Sequence, residues 1–233
     1  MADSKIVLGY WPFGGRGTTP RMLLTYFNVD FTNKLYTDGQ EWFGKDKTGL
    51  GIPLANLPYI IDGDVKIAET DAINTYIIEK YADDDFKGKT PEEKARIAQW
   101  KSYLGDITSA FMEVCFCPKD AVETKLAEKT EKVFKVKLAV IDKELEGKEW
   151  LVGNKVTFAD FVLNGALAMV NTVDAKILAE FKNLASFAQR FMALEGIQRF
   201  FKSKHFTKGF LPQSANFGVA SKEDIEAFVK ANM

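Results

Sequence analysis

The stretch from Asn56 to Asp71 constrains this chain more than any other. Tyr59-Ile60-Ile61 and Val65-Lys66-Ile67 flank Asp62-Gly63, which reads as a β-hairpin. Glu69-Thr70-Asp71 then opens an amphipathic helix over about Thr70 to Tyr81, with Ile73, Tyr76 and Ile77 turned inward. Pro58 stands at the entry to the first strand, where a residue without an N–H cannot continue a ladder and a cis bond suits a tight bend. This layout leaves the backbone groups of Leu57 and the first N–H groups of the helix open, a combination suited to a small peptide that bears a carboxylate. Leu8-Gly9-Tyr10-Trp11 places one tyrosine at the end of an earlier strand, beside that ledge.

At 233 residues the chain can bury a core as one large domain or two small ones. A formal net charge of −1 gives no broad basic field, so neither nucleic acid nor an anionic membrane is an expected partner. No apolar run approaches the roughly 20 residues of a membrane span, and Met1-Ala2-Asp3-Ser4-Lys5 lacks a signal-peptide pattern. Cys115 and Cys117 sit too close for a disulfide framework and lack the paired spacing of a zinc site, which favours a reduced, cytoplasmic setting. His205 is the only histidine, which argues against His-based metal centres and Ser–His or Cys–His nucleophile pairs; a carboxylate-only metal site stays open. On its own, His205 reads as a surface residue.

Strands and helices alternate in the first part of the chain. Lys5 to Trp11 reads as a strand, Gly14, Gly15 and Gly17 as a turn, and Thr19-Pro20 as a helix start with threonine as cap. Met22, Leu23 and Phe27 form the apolar face of that helix, and Phe31 to Tyr36 is a second strand, parallel to the first. A loop follows from Asp38 to about Ala55, then the hairpin and its helix. The order β-α-β, β-β-α is thioredoxin-like, without the Cys-x-x-Cys pair. A charged linker, Asp83 to Thr90, leads to helical patterning: Glu92 to Phe116, Val122 to Leu145, and a helix opened by the capping box Thr157-Phe158-Ala159-Asp160 that is apolar nearly all round. Shorter helices are expected near Asp174–Phe181, Leu184–Leu194 and Ile197–Ser203, and an extra one over Ser221–Ala231. The expected domains are therefore 1–84, thioredoxin-like α/β, and 91–233, all-α.

To about Pro212, the chain strongly resembles the cytosolic glutathione transferases, the mu class most of all. The carriers are Leu8-Gly9-Tyr10-Trp11, Arg21, Asn56-Leu57-Pro58-Tyr59, Ile61-Asp62-Gly63, Glu92-Glu93-Lys94-Ala95-Arg96, and the segment Gly153 to Phe161. The resemblance implies conjugation of the glutathione thiolate to hydrophobic electrophiles, in detoxification, with glutathione as co-substrate and no cofactor or metal. It implies that Tyr10 donates a hydrogen bond to the glutathione sulfur. A thiol of pKa about 8.5 is only a few per cent ionised at pH 7, and a hydrogen bond to the charged form lowers that pKa. By the same resemblance Trp11, Trp42 and Lys47 hold the glycyl carboxylate. Asn56, Leu57 and Pro58 form the ledge for the cysteinyl backbone, and Glu69 and Thr70 take the γ-glutamyl end. Asp106 reaches across to the partner subunit's glutathione, which implies a homodimer. Arg16 is counted with the glutathione contacts, and Phe13, Met112 and Phe116 with the electrophile pocket.

The chain also departs from the family pattern. Arg16 stands where a leucine is usual, Glu69 where mu enzymes have glutamine, Phe116 in place of a tyrosine, and Leu54 in place of an interface aromatic. The loop between Tyr36 and Trp42 is shorter, and the tail beyond Pro212 is longer. Arg21 is expected to neutralise a carboxylate within the fold rather than to act in catalysis. Two other functions remain open: a glutathione-dependent isomerase of the prostaglandin D synthase kind, and a non-catalytic ligand-binding relative.

Overall fold

The computed structural model describes residues 6–232. Strands β1 (Ile6–Tyr10) and β2 (Phe31–Leu35) are joined through helix α1 (Thr18–Tyr26). β3 (Tyr59–Asp62) and β4 (Val65–Ala68) form the hairpin, and α2 (Thr70–Tyr81) follows. Then come α3 (Pro91–Cys115), α4 (Val122–Lys129), α5 (Lys135–Glu144), α6 (Phe158–Val173), α7 (Lys182–Ala193), α8 (Glu195–Lys202) and α9 (Lys222–Asn232). The chain divides into two compact units. One comprises residues 6–81, 195–213 and 219–232; the other comprises 82–194 and 214–218. The sequence places 195–213 and the tail helix with the all-α part, whereas α8 and α9 pack in the unit that holds the sheet.

In the first unit the sheet order is β2-β1-β3-β4. β1 runs parallel to β2, with Ile6 opposite Phe31, and antiparallel to β3, with Gly9 opposite Tyr59. β1-α1-β2 is a crossover unit, as parallel neighbours require. Lys5, expected to begin the first strand, lies outside the described residues. Thr19 does not cap α1. A 3₁₀ turn, Gly15–Gly17, runs straight into the helix, and the Thr18 N–H is already bonded to the Gly15 carbonyl, so no side-chain cap is needed. Segment 39–49, expected as loop, is a chain of short helical turns with a π-helical turn at Trp42–Asp46. Tyr36, Trp42 and Tyr59 fill the core beneath it; the Trp42 and Tyr59 rings stack at 5.9 Å, and the Tyr36 hydroxyl donates to Asp46 Oδ2 at 2.8 Å. His205 is half-buried, stacked on Phe31 at 4.1 Å, rather than on the surface; burial pushes its pKa down to about 4.

In the second unit, α6 packs along α3 and buries Phe161, Leu163, Ala166 and Val170. Its opposite side is open at Ala168, Asn171 and Thr172, so it is not buried all round as its composition suggests. α3 opens with a capping box between Thr90 and Glu93. The expected helix from Val122 to Leu145 is interrupted by a π-helical turn, Thr130–Phe134. Asp160 does more than close the first turn of α6. Its carboxylate accepts from the Thr157 N–H at 2.8 Å, the Thr157 hydroxyl at 3.1 Å and the Leu151 N–H at 3.0 Å, and so ties the preceding loop to the helix. Burial pushes its carboxyl up to about 6 against these three donors. Cys115 and Cys117 are free thiols, and burial raises Cys115 to about 12. Asp160→Ala strands two buried backbone donors and should destabilise this unit by about 3 kcal/mol, read as a lower urea midpoint at unchanged slope.

Candidate active site

Tyr10 ends β1 with its ring nearly buried, and its carbonyl accepts the Tyr36 N–H at 3.0 Å. Its hydroxyl oxygen accepts the Arg16 N–H at 3.1 Å. Two glycines make room for the phenol. A Cβ on Gly15 would fall 2.7 Å from the hydroxyl, and one on Gly17 2.6 Å from the ring. Gly15 also has a φ of +43°, a left-handed value that glycine adopts without steric cost. Burial raises the phenol's pKa, while the Arg16 N–H and the charges of Arg21 and Arg16 act the other way. The hydroxyl is thus protonated at neutral pH, and among the described residues no acceptor takes its proton. Its proton is available for donation to a hydrogen-bond acceptor.

The ledge lies on the neighbouring strand. The Leu57–Pro58 bond is cis. The Leu57 N–H is not free as expected, because Asn56 Oδ1 accepts from it at 2.9 Å. Asn56 Nδ2 donates to Glu69 Oε1 at 3.0 Å, so these two expected site residues hold each other. Glu69 sits at φ +72°, an uncommon conformation for a residue with a side chain, immediately before α2. Thr70 Oγ1 and Asn74 Oδ1 are buried with no hydrogen-bond partner among the described residues. A helix start, an unpartnered hydroxyl and a carboxylate therefore lie together, which suits an α-amino acid end with its own carboxylate and ammonium.

Trp11 is half-buried, edge-on to Tyr36 at 6.4 Å and 6.1 Å from Phe43. Lys47 Nζ lies 5.6 Å from the Phe43 ring and has no ion pair among the described residues. The expectation for Trp42 is corrected. It is 2 % exposed, packed between Tyr36 and Tyr59, and presents no open face to a ligand. The π-helical turn holds one residue more than an α turn, so Phe43, 61 % exposed, takes the open place beside Trp11 and Lys47. The spacing of Trp42 is one residue off the family pattern, and that is the signal in the sequence that points to Phe43.

Phe13 packs edge-on to Tyr10 at 5.6 Å. Arg21 is 0 % exposed and, contrary to expectation, has no carboxylate partner among the described residues. Its guanidinium donates to the carbonyls of Phe13 at 2.8 Å and Trp11 at 3.0 Å and to Asn33 Oδ1 at 3.0 Å, and burial lowers its pKa only to about 9, so it stays charged. In the second unit, Met112 and Phe116 are exposed at the end of α3, and Asp106 is exposed and paired with Lys137.

A thioredoxin-like sheet with a cis-proline ledge and a donor tyrosine defines a class of thiol-binding proteins. Family models place this chain within that class: residues 6–79 match the glutathione S-transferase N-terminal domain and residues 105–195 its C-terminal domain. The chain is 33 % identical to human glutathione S-transferase Mu 5 over 88 % of its own length and 94 % of the relative's. It is 34 % identical to chicken glutathione S-transferase 2 over 87 % and 92 %. Among solved structures it resembles the glutathione S-transferase Blo t 8, at a TM-score of 0.82 and 24 % identity over 91 % of this chain and 99 % of that one. It also resembles rat hPGDS complexed with a quinoline, at a TM-score of 0.71 and 22 % identity over 85 % and 96 %. The chain belongs to the glutathione S-transferase family and is similar to its mu-class members. In Gly15→Ala the left-handed backbone alone should cost about 1–2 kcal/mol, and the added methyl should displace the Tyr10 hydroxyl; a lower urea midpoint checks the first effect and tyrosine fluorescence the second.

Proposed function

We propose that the protein conjugates glutathione to hydrophobic electrophiles, with Tyr10 as the thiol-activating group. The observation that carries this reading is the Tyr10 hydroxyl, which accepts the Arg16 N–H and keeps its own proton uncommitted. Donation of that proton as a hydrogen bond favours the thiolate over the thiol and lowers the thiol's pKa. The thiol proton passes to solvent, the sulfur attacks the electrophilic carbon, and the S–C bond forms as the leaving group departs with its electron pair. One charge-assisted bond of about 1.5–3 kcal/mol is of the order needed to lower a thiol pKa by one to two units.

The ledge supports the placement of the tripeptide. Leu57 would pair its backbone with the cysteinyl residue in the manner of an added strand, which requires Asn56 Oδ1 to release the Leu57 N–H. Pro58 shapes that ledge. Thr70, Glu69 and the start of α2 would take the γ-glutamyl end, and Lys47, Trp11 and Phe43 the glycyl end, with Arg16 at the sulfur side. Phe13, Met112 and Phe116 are proposed to contact the electrophile. The names of the relatives do not favour the isomerase or the non-catalytic reading. A cytoplasmic setting is part of the same proposal; no helix among the described residues is long and apolar enough to cross a membrane.

Two observations support a homodimer. Leu54 is 88 % exposed at φ +53°, a large apolar side chain held outward, and Asp106 is exposed on α3. Leu54→Asp should shift the protein from dimer to monomer in sedimentation at micromolar concentration; an unchanged dimer would remove Leu54 from the interface. Tyr10→Phe should lower kcat/KM for a chloronitrobenzene roughly 10- to 100-fold below the thiol pKa, with the acid limb of the pH profile moved up. The loss should shrink at high pH, where the thiol ionises unaided. An unchanged profile would exclude Tyr10 from the mechanism.

A further inference from the structure

Among the described residues Arg21 is a buried cation compensated without a carboxylate, and the tail of the chain takes part in that compensation. Its guanidinium carbon lies 5.6 Å from the Tyr10 ring centroid and 5.3 Å from that of Phe228. Phe228 comes from α9, the helix of the C-terminal extension. Asn232, at the end of the same helix, accepts from Asn33 Nδ2 at 3.1 Å, and Asn33 Oδ1 accepts from Arg21 Nε at 3.0 Å. Asn232 is itself fixed, since its Nδ2 donates to the carbonyls of Lys204 at 2.6 Å and Phe228 at 2.9 Å. With Nδ2 of Asn33 committed to Asn232, its Oδ1 is left for Arg21. The segment that leads into the extension reaches the site by a second route. The carbonyls of Gly209 and Phe210 accept the N–H groups of Gly14 at 2.8 Å and Gly15 at 2.6 Å, and the next residue, Arg16, donates to the Tyr10 hydroxyl.

We infer that the C-terminal segment 209–232 is a positioning part of the thiol-activating site: Phe228 and Asn232 hold Arg21, and Arg21 holds the turn from Trp11 to Arg16 that sets the Tyr10 hydroxyl. This rests on the reading of Tyr10 given above. A desolvated guanidinium between two aromatic faces is stabilised by both. Removing one face loosens its grip on the Trp11 and Phe13 carbonyls, and the hydroxyl with them. The cation near the phenol also makes it a stronger donor, since the charge of Arg21 draws the Tyr10 pKa down against burial. The other charged and titratable groups here, among the described residues, are Arg16, whose charge also acts on Tyr10, His205, which feels the charge of Arg21, and Lys204 and Asp30, whose charges act on His205. Arg21 stays charged, and His205, with a pKa of about 4, stays neutral where a thiol titrates.

Phe228→Leu keeps apolar volume and removes the ring; Phe228→Tyr keeps the ring. In the full-length protein, kcat/KM for glutathione addition to a chloronitrobenzene is followed across pH beside thermal unfolding. Phe228→Leu should move the acid limb up by about half a pH unit, a roughly threefold loss of kcat/KM below the limb, and Phe228→Tyr should bring the limb back to its wild-type place. Asn232→Ala, at the chain's end and of little risk to folding, should move the limb in the same direction. A uniform loss of rate, or no loss, with the limb unmoved in both Phe228→Leu and Asn232→Ala overturns the positioning role. If Tyr10→Phe still moves the limb in that case, only the role of the tail falls; if Tyr10→Phe leaves it in place, the reading of Tyr10 falls as well.

Discussion

A single buried guanidinium organises the sheet-bearing unit. Arg21 is held by two carbonyls from the turn after β1, by the amide of Asn33 on β2, and by aromatic faces from β1 and α9. Burying an ion costs several kcal/mol even after relaxation, and three bonds to a charged donor, each about 1.5–3 kcal/mol, offset that cost only if all are made together. The geometry is therefore cooperative: the strand end, the glycine turn and the second strand are set by one planar fork. Tyr10 sits where these constraints meet, which is why its hydroxyl is held in place at the very end of a strand.

The fold was largely legible because its signals are local. The Asp62-Gly63 turn, the Thr90/Glu93 capping box and the Thr157 to Asp160 sequence each name an element boundary through backbone chemistry. The structure follows them in β3 and β4, α3 and α6. Two kinds of feature escaped. Thr19-Pro20 carries a good cap signature, but a preceding 3₁₀ turn had already satisfied the first N–H, so tertiary chain path overrode local preference. The packing of α8 and α9 beside the sheet depends on contacts between residues far apart in sequence, such as Arg199 with the Thr25 carbonyl and Asn232 with Asn33, which no periodicity encodes.

Much the same divide runs through the site. Tyr10, Asn56, Leu57, Glu69 and Thr70 stand out as candidates because they lie at strand ends, a proline entry and a helix start, positions that sequence marks. The state of their groups does not. That Asn56 occupies the Leu57 N–H and binds Glu69 follows from side-chain geometry. That Arg21 has carbonyls and rings in place of a carboxylate follows from the tail, whose helix was legible but whose destination was not.

The π-helical turn at Trp42–Asp46 has a consequence for how this chain relates to its kin. A surplus residue lodged inside a coil of backbone, rather than looped out, rotates everything on one side of it by a fraction of a turn. Two neighbouring aromatics, Trp42 and Phe43, thereby exchange duties: one goes to the interior and the other to the rim. The indole is shut inside and the rim receives a benzyl group, which can shield a lysine's charge but cannot donate to an anion. In chemical terms that stretch of the rim is greasier and less able to give a proton than the tryptophan in the sequence suggests.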